Sequence, residues 1–313
     1  MRHCKSFLCL LAVLLLLGGA ALGEGEFPPL NADGFLNEGE FVFVDEEAGV
    51  WRYCSPTLWV EIYRREQEKP KERWYEAEIR LAEGAPGFSM LPWSDSKRWT
   101  LLNYPYKIAR KHRSVFAVNS DFAHLRLSKK QRAGILLREG KVVYSHTKQR
   151  NAGFPNLDNL ALFADGGMEA FWSNEHTAEQ YVEMGAADVL SFGPWLIRDG
   201  ELNSAAIRKL GSERAQRTAV GLIGPRHYAA LVTEGRTKES KGTTLGFVAE
   251  KMQAMGCTMA FNLDGGQSSA MVFLGKQINL VRNKKGLRAS ARKTAEILAI
   301  GTSPACAEEN DPF

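Results

Sequence analysis

Asp264 lies in the run F-N-L-D-G-G-Q-S-S, from Phe261 to Ser269, where a carboxylate is followed by two glycines and then by two hydroxyls. Residues of those types in that order suit acid–base or nucleophilic chemistry beside an anion. Gly265 and Gly266 let the backbone take positive φ and approach a ligand closely. Successive N–H groups in such a turn form a concavity for phosphate or carboxylate, and Ser268 and Ser269 add hydroxyl donors. D-G-G is also an ordinary hairpin turn, so the flanks matter. Asn262 and Asp264 alternate with Phe261 and Leu263, which puts both polar side chains on one face of a strand. Polar groups at the end of a buried strand need a partner or a ligand.

Three further strand ends carry polar chemistry. In A-V-N-S-D-F, Ala117 to Phe122, Asn119 and Asp121 alternate on one face; the other reading is an Asx-type turn. In Q-R-T-A-V-G, Gln216 to Gly221, Arg217 and Thr218 precede an apolar strand; Arg217 is either a salt-bridge partner or a fork for phosphate. In V-T-E-G-R, Val232 to Arg236, Glu234 and Arg236 flank Gly235, as a charged turn or the rim of a site. The turn-like S-F-G-P, Ser191 to Pro194, reads as a backbone device. The histidines show no metal-ligand spacing, and no G-x-S-x-G elbow or P-loop occurs. The basic cluster Lys284, Lys285, Arg288, Arg292 and Lys293 reads as a solvated face.

The elements that must position these groups are mostly strands. Short apolar or alternating runs predict strands over Leu58–Arg64, Tyr75–Leu81, Val115–Val118, Ala133–Leu137, Lys141–Tyr144, Leu160–Phe163, Val189–Ile197, Ala219–Ile223 and Tyr228–Thr233. Arg138-Glu139-Gly140 and Arg198-Asp199-Gly200 read as hairpin turns. Helices are expected over Asn103–Arg113, Thr177–Met184 and Thr244–Met255. The last has Thr243 or Thr244 as N-cap, Leu245, Val248, Met252 and Met255 on one face, and Gly256 just past its end. Many strands and few helices, in no strict alternation, imply an α+β fold: a single β-rich domain with a mixed sheet.

Composition narrows the class. Arg2 and Lys5 precede an apolar run from Phe7 to Leu17, and Ala21-Leu22-Gly23 offers a small-residue cleavage site, so residues 1–23 read as a signal peptide. The apolar run falls short of the roughly 20 residues of a membrane span. The expectation is therefore an exported protein, extracellular, periplasmic or in the cell envelope, with no stable membrane span after cleavage. Without those residues, 38 basic and 36 acidic side chains leave about +2, too balanced for a nucleic-acid partner. Cys54, Cys257 and Cys306 permit one bridge, such as Cys54 to Cys306, or three thiols. Residues 24–40 and 305–313 read as a flexible leader and tail around a domain at 41–304.

These motifs, in this order, resemble the phosphodiester glycosidase family. The resemblance rests on Asn119 to Phe122, Phe192 to Gly200, Arg217 to Gly221, Glu234 to Arg236, the helix from Thr244, Asn262 to Ser269 and the closing strand Ala291 to Ile300. It covers Val115 to Gly301, about two thirds of the chain after residue 23. Three positions depart from the family pattern: Ser120 and Gln267 stand where glycine is usual, and Glu234 where aspartate is common. The resemblance implies hydrolysis of a sugar-1-phosphodiester or phosphorylated glycan at the anomeric bond, releasing sugar and a phosphomonoester. It would make Asp264 nucleophile or base, Asp121 the second carboxylate and Arg217 the phosphate clamp. Asn119, Thr218, Asn262, Gly265, Gly266, Ser268 and Ser269 would bind substrate, with Glu234 and Arg236 at the rim. No cofactor is required on this reading; a divalent cation held by Asp121 and Asp264 would instead favour attack at phosphorus. Two rival functions are a phosphodiesterase and a non-catalytic envelope module that binds glycan phosphates.

Overall fold

Strands whose side chains alternate between two apolar environments are the main regular element of the molecule. The computed structural model describes residues 25–94, 101–121, 134–146, 157–210 and 213–306. The expected signal peptide, Phe122, Ala133 and the tail beyond residue 306 lie outside the described residues. A nine-stranded sheet runs β1 (Phe41–Asp45), β2 (Val50–Cys54), β3 (Leu58–Glu68), β4 (Lys71–Leu81), β15 (His227–Thr233), β14 (Thr218–Gly224), β16 (Met259–Leu263), β12 (Trp195–Arg198) and β13 (Glu201–Leu202). A five-stranded sheet runs β10 (Met168–Phe171), β9 (Asp158–Phe163), β11 (Ala186–Phe192), β7 (Gly134–Arg138) and β8 (Lys141–His146). A second five-stranded sheet runs β18 (Lys276–Gln277), β17 (Met271–Phe273), β6 (Ser114–Asn119), β19 (Glu296–Thr302) and β5 (Ser89–Pro92).

Period-two alternation assigns the two faces of each sheet. In the nine-stranded sheet Val220, Ala230, Val232 and Phe261 face a core shared by all three sheets. Their chain neighbours Ala219, Ala229, Leu231 and Ala260 face outward onto α4 (Leu245–Ala254). Likewise Leu136, Leu160 and Leu190 enter the shared core, while Ile135, Leu137, Ala161 and Val189 pack under α2 (Ala178–Glu183). Phe116, Val118, Met271 and Leu298 point inward, and Ala117, Val272, Ile297 and Ala299 meet α1 (Pro105–Lys111). One core and three helix-covered outer faces give an α+β domain, with α3 (Ser204–Leu210) beside α4.

The expected mixed sheet is corrected by the pairing. Every strand pair among the described residues is antiparallel. A parallel pair needs a long crossover, and the described residues hold four short helices to supply one. The run Val189–Ile197 is not one strand. It splits into β11 and β12, in different sheets, because Gly193-Pro194 interrupts it and proline cannot donate to a ladder. The leader is not loose where it is described: Phe27, Phe35 and Leu36 pack against Phe41, Cys54 and Trp59, with Phe27 and Trp59 rings 5.3 Å apart. Its aromatic residues outweigh its Gly and Pro content.

Local readings fare better. Thr244 caps α4 by accepting from the Phe247 N–H at 3.1 Å, and Thr177 and Gln180 form a reciprocal capping box on α2. Glu139 and Asp199, each before a glycine, take the positive φ that tight hairpins require. Cys54, Cys257 and Cys306 are buried free thiols. Among the described residues no helix is long and apolar enough to cross a membrane.

Candidate active site

The Asp264 segment is not a hairpin turn. β16 ends at Leu263 in the nine-stranded sheet, and after one turn of 3₁₀ helix at Gly266–Ser268 the chain resumes as β17 in a five-stranded sheet. The loop therefore crosses between sheets, and it meets the end of β6 on the way. Asp264 N–H donates to Ser120 O at 3.3 Å, and Asn119 Nδ2 donates to Asp264 O at 2.7 Å. Asn119 Oδ1 accepts from Thr218 Oγ1 at 2.8 Å and from Ala270 N–H at 2.9 Å. One buried amide thus joins β6, β14, the Asp264 loop and the start of β17. Ser120 Oγ donates to Glu296 O at 2.9 Å and ties the β6 end to β19.

Both glycines are demanded by their surroundings. A Cβ on Gly265 would sit 2.8 Å from Gln216 O, and Gly266 has φ +63°. Most N–H groups of this loop already have acceptors inside the protein. Gly265 N–H serves the Asp264 carboxylate, and Gly266 N–H donates to Gln216 O at 2.8 Å. Ser268 and Ser269 donate to Gly265 O at 3.2 Å and to Gly266 O at 3.3 Å. These bonds occupy most of the backbone donors that the sequence offered for an anion concavity.

What opens to solvent is a small cleft lined by Asn119, Ser120, Asp121, Asp264, Ser268, Arg292, Lys293 and Thr294. Asp121 is only 3 % exposed and Asp264 is half-buried. Burial pushes the Asp264 carboxyl up to about 6, with a further push from the Asp121 charge. The Ser268 hydroxyl, Arg292 and the Gly265 N–H oppose that rise. A carboxylate poised near neutrality beside a second carboxylate and two cations can exchange protons, attack carbon or balance charge on an anionic substrate. No group of three or more His, Cys, Asp or Glu side chains suited to a metal ion occurs among the described residues.

The phosphodiester glycosidase family profile matches residues 112–301. This chain belongs to the phosphodiester glycosidase family. The match starts at the approach to β6 and ends in β19, so it contains every residue that lines the cleft. An uncharacterised protein derived from the SPbeta prophage of Bacillus subtilis (strain 168), YomE, is 28 % identical over 174 residues, 55 % of this chain. That alignment spans only 26 % of the relative's own length. The catalytic domain of zebrafish N-acetylglucosamine-1-phosphodiester alpha-N-acetylglucosaminidase has a similar fold. Its TM-score is 0.61 at 17 % identity, over 80 % of this chain and 85 % of that one.

Among the residues that the family resemblance singles out, the fold brings Asn119, Asp121, Asp264 and Ser268 into one cleft. Thr218 lies beneath it, bonded to Asn119. Ser269 is buried behind it. Asn262 faces away: its Nδ2 donates to Gly193 O at 2.8 Å and anchors the Gly193-Pro194 turn. Arg217 and Arg236 are outside the lining, packed near Gly265 and Gly266. Arg217 donates through Nη2 to Glu213 O at 2.7 Å; Arg236 donates through Nη1 to Gln216 Oε1 and Arg282 O, both at 3.2 Å. Glu234 is not at a rim. It is 1 % exposed and accepts from Leu280 N–H at 2.7 Å and Tyr75 OH at 3.1 Å.

Arg292, Lys293 and Thr294 were not expected in the site. Arg292 and Lys293 belong to the basic cluster read as a solvated face, yet both line the cleft. The signal that pointed to them was the family-like segment A-R-K-T-A-E-I-L-A-I, whose basic pair directly precedes β19, the neighbour of β6.

Proposed function

We propose that this member of the phosphodiester glycosidase family is an exported hydrolase that cleaves the anomeric bond of a sugar-1-phosphodiester. The observation that carries the reading is the company of Asp264: a second carboxylate and two cations in one cleft, with burial raising Asp264 to about 6. Hydrolysis at the anomeric carbon passes through an oxocarbenium-like state, which a nearby carboxylate stabilises. The bond from that carbon to the phosphate oxygen breaks, and its electron pair leaves with the phosphomonoester. Water supplies the new hydroxyl; its proton passes to Asp264 where that carboxylate acts as base, or to Asp121 where Asp264 has first bonded to the carbon and then leaves it as water attacks. Asp121 is the second carboxylate. Asn119 and Thr218 hold the Asp264 loop in register with β6, which fixes the separation of the two acids. The leaving group is already a weak base, so the demand on a general acid is small.

The zebrafish enzyme's name makes an N-acetylglucosamine-1-phosphodiester the first substrate to test. Export is supported by Arg2, Lys5 and the apolar run from Phe7 to Leu17. Product analysis on a panel of sugar-1-phosphodiesters decides the reaction. Free reducing sugar is the expected product. Sugar-1-phosphate would mean attack at phosphorus, and no turnover with retained binding would mean a glycan-phosphate receptor.

A further inference from the structure

A substrate phosphate needs positive charge or free donors, and most backbone donors of the loop expected to supply them are already taken. The N–H groups of Gly265, Gly266, Ser268 and Ser269 are bonded within the protein. Of the two arginines singled out by sequence, both outside the cleft lining, Arg236 donates to Gln216 Oε1 and Arg282 O, while Arg217 donates through Nη2 to Glu213 O and keeps a buried Nε with no partner among the described residues. Inside the cleft the cations are Arg292 and Lys293.

Their segment is fixed against both halves of the site. Arg292 N–H donates to Gln267 O at 2.9 Å, and Gln267 Nε2 reaches back to Ser290 O at 3.3 Å. Thr294 and Asn103 exchange backbone bonds of 2.8 and 2.9 Å, which pin the segment to the approach to α1. Lys293 Nζ lies 5.1 Å from the Tyr104 ring centre, a cation–π distance that holds the ammonium near the cleft. Both cations line the cleft, where the Arg292 charge already acts on Asp264.

We infer that Arg292, with Lys293 beside it, holds the phosphodiester of the substrate, and that Arg217 does not. The inference rests on the sugar-phosphodiester reading above and deepens it. A planar guanidinium can grip two non-bridging phosphate oxygens at once, while the lysine adds a point charge. Phosphate seated there places the anomeric carbon toward Asp264 and Asp121, so the charges divide the work: cations hold the leaving group, carboxylates meet the carbon. Gln267, where the family usually has glycine, becomes the brace between the acidic loop and the cationic segment.

Binding and turnover are tested separately. Inorganic phosphate is titrated calorimetrically into wild type, R292Q, R292K and R217Q, each checked for folding by its Tm. The expected result is a loss of about 10-fold or more in R292Q, the size of one charge-assisted pair. R292K should keep part of the affinity, and R217Q should bind like wild type. With turnover, R292Q should lose more kcat/KM on a sugar phosphodiester than on a neutral aryl glycoside of the same sugar. The acid limb of its pH profile should also move upward, because a cation near Asp264 has gone. Wild-type phosphate affinity in R292Q, loss in R217Q equal to that in R292Q, or no phosphate binding by wild type at millimolar concentration overturns the inference. Release of sugar-1-phosphate by wild type overturns the reaction instead, and leaves the phosphate titration to stand or fall by itself.

Discussion

Asp264 and Glu234 are both carboxylates displaced upward by burial, and both follow a strand of the nine-stranded sheet. Their surroundings differ in kind. Glu234 is sealed: Tyr75 OH and Leu280 N–H donate to Oε1, and Arg73 stands 3.7 Å from Oε2. Asp264 shares an open cleft with Asp121, Ser268, Arg292 and Lys293. A raised carboxyl is therefore not enough to mark a site. Access to solvent, together with charges facing the same space, separates the acid proposed to react from the sealed one.

The contrast breaks first at Asp264. Asp264→Asn should lower kcat by about 10²- to 10⁴-fold, the usual worth of an acid–base group, while the protein stays folded. Normal turnover by a folded D264N protein would sink the assignment. Glu234→Ala should do the reverse. It strands two donors at about 1–3 kcal/mol each, so denaturant unfolding should show a loss of about 2–6 kcal/mol. Folded E234A should keep much of its activity; loss of activity at unchanged stability would put Glu234 in the site after all.

Titration sharpens the difference. Asp264 has a folded value of about 6 against 3.8 for the free side chain, so the native state holds its proton more tightly. Stability from this group is greatest below pH 3.8 and declines as pH rises through about 6, by up to about 3 kcal/mol. At pH 7 D264N should thus be more stable than wild type, and that gain should vanish in acid. Activity should run the other way, since in the proposed role the ionised form does the work: kcat/KM should rise with pH through about 6. An inflection unchanged in a variant lacking the Ser268 hydroxyl, S268A, would show that another group titrates. The smallest effect belongs to the brace. Gln267→Gly removes one hydrogen bond and adds backbone freedom, so it should cost about 1–2 kcal/mol and raise KM more than it lowers kcat.

Much of the molecule was legible before folding because it depends on neighbours in sequence. Alternation along β6, β14 and β16 announced two-faced strands, and Thr177 and Thr244 announced helix starts. What failed was pairing. Val189–Ile197 reads as one apolar run, yet its two halves join different sheets. Gly265 and Gly266 read as an open anion cradle, but their donors are consumed by Asp264 and Gln216, and Gln216 lies far off in the chain. Arg292 and Lys293 read as solvated charge because nothing in their local pattern says that β19 lies against β6.

By itself, then, the sequence determined the chemical groups and the local elements that carry them: Asp264 and Asp121 at strand ends, the glycines beside Asp264, the capped helices, the two-faced strands. Only the tertiary structure decided which strand ends meet, and hence that the acids face Arg292 and Lys293 while Arg217 and Glu234 turn elsewhere. The physical reason is the range of the interactions. Caps, turns and alternation are set within a few residues, whereas antiparallel pairing between distant strands is fixed by the shared core, which is complete only once all three sheets pack.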